Sequence, residues 1–162
     1  MTRKAEPYVG LFGVYGGDWR TFAARRLDAA GVAYAIPDDD RWQEINHQNG
    51  DEKQPLINEL VAAQQRMLTE ARCVVFYLAQ HPRRFLADDR PVDPSYTFEA
   101  LAARCELGVV AGGGVPAFAF IEPDLRGRNY LWALIAQHPH VHRCASLDEA
   151  LDRAVAHMTD GA

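Results

Sequence analysis

Short apolar runs alternate with helical patterns along this whole chain, and that alternation restricts its fold more than any other feature. Tyr8–Val14, Val32–Ile36, Cys73–Ala79 and Pro116–Ile121 are short, apolar and bounded by Gly, Pro or charged residues, as strands are. Between them, Trp19, Phe22, Ala23, Leu27 and Ala30 recur at helical spacing, and Gly31 follows as a C-cap. A second helix over 55–71 carries Leu56, Ile57, Leu60, Val61 and Leu68 on one face. A third pattern runs from Thr97 to Leu107 and is expected to stop at Gly108, and another spans Arg126 to Gln137. Ser146-Leu-Asp-Glu149 is a capping box opening a last helix with Leu147, Ala150, Leu151, Ala154, Val155 and Met158 on one side. His140–His142 is too short to assign alone. Strands alternating with helices predict βαβ units around a parallel sheet.

The expected architecture is therefore a three-layer α/β/α sandwich, flavodoxin-like (Rossmann-like), with about five mainly parallel strands. A length of 162 residues, 48% of them hydrophobic and 24% charged, suits one domain, 1–162, with a real core. The net charge of −5, with Lys and Arg scattered, leaves no electrostatic footprint for nucleic acid or an anionic membrane. No apolar run approaches the ~20 residues of a membrane span, and no signal-type stretch follows Met1–Pro7. Cys73, Cys105 and Cys144 are odd in number, distant and in apolar surroundings, so they read as buried free thiols of a cytoplasmic protein.

Sheets of this class bind ligands at the carboxyl ends of their strands. Asp93-Pro-Ser-Tyr96-Thr97-Phe-Glu99 follows the Cys73–Ala79 run and opens a helical pattern, so its two carboxylates are a candidate reaction centre. With Thr97 as N-cap, Glu99 lies in the first turn, where the helix dipole favours an ionised carboxylate; a Glu there, and an Asp before Pro94, also serve purely as helix and turn residues. Gly10, Gly13, Gly16 and Gly17 surround the first strand-to-helix turn, yet no Gly-x-Gly-x-x-Gly and no Walker lysine accompanies them. They either let the chain turn tightly or admit an anionic or hydroxylated ligand, and no cofactor is expected. Asp38, Asp39, Asp40 and Trp42 after the second strand are a solvated turn or a sugar or base contact. Tyr15 and Trp19 either stack on a base or cover the core. His138, His140 and His142 alternate and would share a strand face, but no carboxylate or Cys accompanies them, so no metal is expected. Gly112–Gly114 are expected to make only a turn.

Leu11-Phe-Gly-Val-Tyr-Gly-Gly-Asp-Trp-Arg20 resembles the opening of the nucleoside 2-deoxyribosyltransferase-like proteins. Pro37-Asp-Asp-Asp-Arg-Trp42 is similar to the Pro-x-x-Asp-Asp-Trp stretch of one branch, Asp93 to Glu99 matches the family's Asp-to-Glu interval, and Ser146-Leu-Asp-Glu-Ala-Leu151 is similar to its closing helix. The resemblance implies cleavage or transfer of the N-glycosidic bond of a nucleoside or nucleotide, with Glu99 as nucleophile and Asp93 handling the base. It further implies that Gly13, Tyr15, Trp19, Asp39, Asp40, Trp42 and Tyr96 line the substrate site of a homo-oligomer, a dimer or larger. Alternatives are a nucleoside 5′-monophosphate N-glycosidase, with phosphate held by the Gly13–Gly17 turn and Arg83, Arg84 or Arg90, and a nucleotide-binding or sensing module without turnover. Arg72 stands where the family usually has an aspartate, and Leu11 where it often has a tyrosine. Those departures keep the binding module in view.

Overall fold

Six consecutive apolar residues, Cys73-Val-Val-Phe-Tyr-Leu78, form β3, and every one of them is buried. A strand can bury both its faces only inside a sheet covered on both sides. The computed structural model has that arrangement and describes residues 6–14, 18–38, 41, 45, 53–79 and 105–160. Strands β1 (Val9–Gly13), β2 (Tyr34–Ala35), β3 (Cys73–Leu78), β4 (Ala117–Ile121) and β5 (Val141–Arg143) pair in parallel in the order β2-β1-β3-β4-β5. This is the flavodoxin-like order. The fifth strand is the short run around His142 that could not be assigned from sequence.

Helices α1 (Trp19–Ala29) and α5 (Leu147–Thr159) cover one face, packing Trp19, Ala23, Leu27, Leu147 and Leu151 against Leu11, Val75 and Tyr77. The other face is covered by α2 (Lys53–Glu70), by α3, whose described part is residues 105–113, and by α4 (Arg128–Ile135). From these, Leu68, Leu107, Val110, Leu131 and Ile135 meet Phe12, Val74, Phe76 and Leu78. Alternate β3 side chains thus feed two separate cores, as a period of two demands.

Chain reversals are made by glycine where a left-handed backbone is required. Gly31 (φ 67°) closes α1 in a Schellman motif: its N–H donates to Asp28 O, and Val32 N–H to Leu27 O, both at 3.0 Å. The expected stop of α3 at Gly108 is not where the helix ends. It continues to residue 113, and Gly114 (φ 75°) caps it by donating to Val110 O at 3.2 Å. A mid-helix glycine costs about 1 kcal/mol relative to alanine, less than the burial of Val110 and Ala111, which the extra turn brings against the sheet. Gly112 and Gly113 are therefore helical, and only Gly114 makes the turn.

Cys73 and Cys144 are buried free thiols, and burial pushes them up to about 12 and about 11, so neither is a ready thiolate. Cys105, expected to be buried too, is exposed, because it lies two residues from buried Leu107 on the opposite side of α3. No described helix is long and apolar enough to cross a membrane.

The cap of α5 forms as the sequence predicts: Ser146 Oγ accepts from Glu149 N–H at 3.1 Å. Glu149 reaches back one residue farther than in a standard box, accepting from Ala145 N–H at 2.6 Å, and also pairs with Arg153 at 2.8 Å. The backbone hydrogen bond from Ala145 is the main reason that the Glu149 carboxyl lies below the usual carboxylate range, with Arg153 adding to it. A depressed carboxylate stabilises the fold above its unfolded pKa and ceases to do so as pH falls through its folded value. Ser146→Ala is expected to cost about 1 kcal/mol in urea unfolding. Glu149→Gln is expected to flatten the acid limb of a stability-against-pH curve below about pH 4.5 while leaving its neutral limb unchanged in slope.

Candidate functional site

The crossover from β1 leads over one face of the sheet toward β2, and the one from β3 leads over the opposite face toward β4. The carboxyl ends of these adjacent strands are thus the topological switch point, where sheets of this order place their ligand crevice. Its floor is built from very close backbone packing. Gly13 has φ 145°, and a Cβ added there would stand 2.0 Å from Tyr77 O. Next to it Val14 N–H donates to Tyr77 O at 2.9 Å, which holds the ends of β1 and β3 together. Of the two roles considered for Gly13, this packing alone requires glycine.

Trp19, expected in the substrate pocket, has no exposed surface. Its Nε1–H donates to Val14 O at 2.8 Å and its ring packs against Tyr77 at 5.4 Å. A fully buried indole tied to the strand-to-helix turn cannot offer a stacking face to a base, so Trp19 takes the core role. Tyr77, which sequence reasoning passed over as a core residue of an apolar strand, is the hub here. It stacks on Phe120 at 5.8 Å, and its hydroxyl donates to Glu122 Oε1 at 3.0 Å, fixing a half-buried carboxylate at the end of β4.

Glu106 is the second group that the sequence reading missed. It lies near the start of the described part of α3, half-buried, and burial pushes its carboxyl up to about 7. The charge of Arg20 opposes that shift in part. Arg20 opens α1, on the other face of the sheet from α3, and its guanidinium lies 5.1 Å from the Trp19 ring. An acid and a base from opposite layers thus influence one another electrostatically. A carboxyl that titrates near neutrality can hold or release a proton at working pH. The clue in the sequence was the lack of a local partner: positions three and four away in either direction are Ala102, Ala103, Val109 and Val110.

Asp38 acts as a turn residue, accepting from Arg41 N–H at 3.1 Å, while Arg41 pairs with Glu59 of α2 at 3.2 Å. Asp93, Tyr96, Glu99, Tyr15, Asp39, Asp40 and Trp42 lie outside the described residues, as do Arg83, Arg84 and Arg90. The three histidines separate into two groups: the His138 and His140 rings pack edge to face at 5.9 Å, with His140 Nε2 meeting Val110 O at 3.2 Å, whereas His142 stacks on Phe118 at 5.4 Å. Among the described residues no three His, Cys, Asp or Glu side chains gather as metal ligands do. No protein-family model matches the chain, and a search of the curated proteins gives no match.

Gly13→Ala is expected to destabilise the fold by about 3 kcal/mol in urea unfolding, since neither the φ nor the Tyr77 carbonyl can yield cheaply. Glu106 contributes stability that is fully present below its unfolded pKa and is lost as pH rises toward about 7. Glu106→Gln is therefore expected to abolish a fall in stability between about pH 4.5 and 7, read by thermal unfolding across that range.

Proposed function

We propose that this chain cleaves, and in the presence of a second base remakes, the N-glycosidic bond of a nucleoside or nucleotide. The observation that carries the reading is the parallel β2-β1-β3-β4-β5 order, which makes the β1/β3 edge the ligand-binding crevice of the fold. The chain between β3 and α3 holds the Asp93–Glu99 pair, and the motifs resembling the nucleoside 2-deoxyribosyltransferase-like proteins occur in that family's order around it. In this reading a Glu99 oxygen attacks the anomeric carbon, the C–N bond breaks, and its electron pair leaves with the base, which Asp93 orients or protonates. A glycosyl ester on Glu99 results. Attack on that ester by another base completes a transfer, and attack by water completes a hydrolysis. Glu106, its carboxyl raised toward neutrality, is suited to buffering a proton during these steps.

Incubation with deoxynucleosides, ribonucleosides and their 5′-monophosphates, with and without a second free base, tests this directly. Cleavage or exchange is expected, and Glu99→Gln is expected to lower turnover by at least about 1000-fold with the circular dichroism spectrum unchanged. Preference for phosphorylated substrates would select the monophosphate N-glycosidase. No turnover of any panel member, together with saturable binding, would select the sensing module.

A further inference from the structure

At the other end of the same sheet edge, two arginines close on one indole. The guanidinium of Arg143, at the end of β5, lies 4.6 Å from the centroid of the Trp132 ring, and that of Arg128, in the first turn of α4, lies 6.0 Å from it. Both positions follow from the topology. Arg143 pairs in register with Ala119, whose side faces the core shared with Leu131 and Ile135 of α4, so Arg143 projects on the α4 side of the edge strand. Arg128 and Trp132 are four apart on α4 and therefore share a helix face. Since α4 follows the carboxyl end of β4, Arg128 lies at the edge of the sheet where ligands bind in this fold.

The charges here are unbalanced. Neither Arg128 nor Arg143 forms an ion pair with a carboxylate among the described residues, although Arg26, Arg41 and Arg153 all do. Two buried donors, Arg128 Nε and Trp132 Nε1, also find no acceptor among the described residues. Like charges gathered on one ring repel, and buried donors without acceptors are costly. A single group bearing negative charge and several acceptor oxygens relieves both. A carboxylate has only two oxygens, whereas a phosphoryl dianion offers three and matches the planar fork of each guanidinium.

We propose that Arg128, Arg143 and Trp132 form a phosphoryl-binding site at the carboxyl edge of β4 and β5. The site does not depend on the glycosidic reading, and it uses none of the residues that the monophosphate alternative assigns to phosphate. Its ligand is inorganic phosphate or the phosphoryl group of a nucleotide, and a titration separates these. The indole N–H resonance of Trp132, assigned with Trp132→Phe, is followed during addition of inorganic phosphate, adenosine 5′-monophosphate, adenosine, or sodium chloride at matched ionic strength. Saturable shifts are expected with one or both phosphates and none with chloride. Equal affinity for the two assigns free phosphate, and at least about tenfold tighter binding of the monophosphate assigns a nucleotide. Arg143→Gln, at an exposed position that should leave folding intact, is expected to weaken binding at least about tenfold, and Arg143→Lys less so. No saturable shift with either phosphate, or affinity unchanged in Arg143→Gln, would overturn the proposal.

Discussion

The burial of β3 on both faces is the constraint on which the rest of the molecule depends. A strand made of Cys, Val, Val, Phe, Tyr and Leu exposes no side that water could accept, and fully burying a residue such as Val, Leu or Phe is worth about 1.5–3 kcal/mol. Two layers of helices are needed to cover it, and parallel neighbours need crossovers that supply those helices. Once β1 and β4 flank β3, the helices that follow β1 and β3 cover opposite faces, so the carboxyl ends of these strands become the switch point where such sheets place a ligand crevice. The crevice is therefore a consequence of how the core is covered.

Tyr77 joins these two requirements. Its backbone carbonyl accepts the Val14 N–H and sits where any Cβ at position 13 would have to go, and its ring holds Trp19 on one side and Phe120 on the other. Its hydroxyl reaches the Glu122 carboxylate, so one residue spans from the packed core to the polar edge. Close packing at the strand ends comes from the backbone of Tyr77, and the polar contact beyond it from the side chain of the same residue.

The described core contains no buried polar or charged residue, which leaves the sheet edges to carry the titratable groups. Partial burial there has consequences that full exposure would not. Glu106 is raised because it loses water without gaining full compensation from Arg20, and two guanidiniums share an indole without a carboxylate between them. Groups in this state respond to protons or anions, while the paired charges of Arg26 with Asp148 and Asp152 only fasten α1 to α5. Surface pairs of that kind contribute little, about 0–1 kcal/mol each.

Local pattern was enough to determine the elements and their class. The apolar runs, the segments that form α1, α2, α4 and α5, the Ser146 cap and the Gly31 stop all act through neighbours within a few residues, and all appear in the structure close to where periodicity and capping chemistry put them. Tertiary structure decided everything that depends on which face meets which. Gly108 stays helical because Val110 and Ala111 find the sheet, Cys105 is exposed because Leu107 takes the buried side, and Trp19 serves the core because Tyr77 lies beneath it. Likewise, the charge of Arg20 acts on Glu106, and Arg143 reaches Trp132, only because the crossovers bring elements distant in the chain together around the sheet. A periodicity reports that a face is buried, but the partner of that face depends on contacts between residues far apart in the chain, and those form only when the sheet closes.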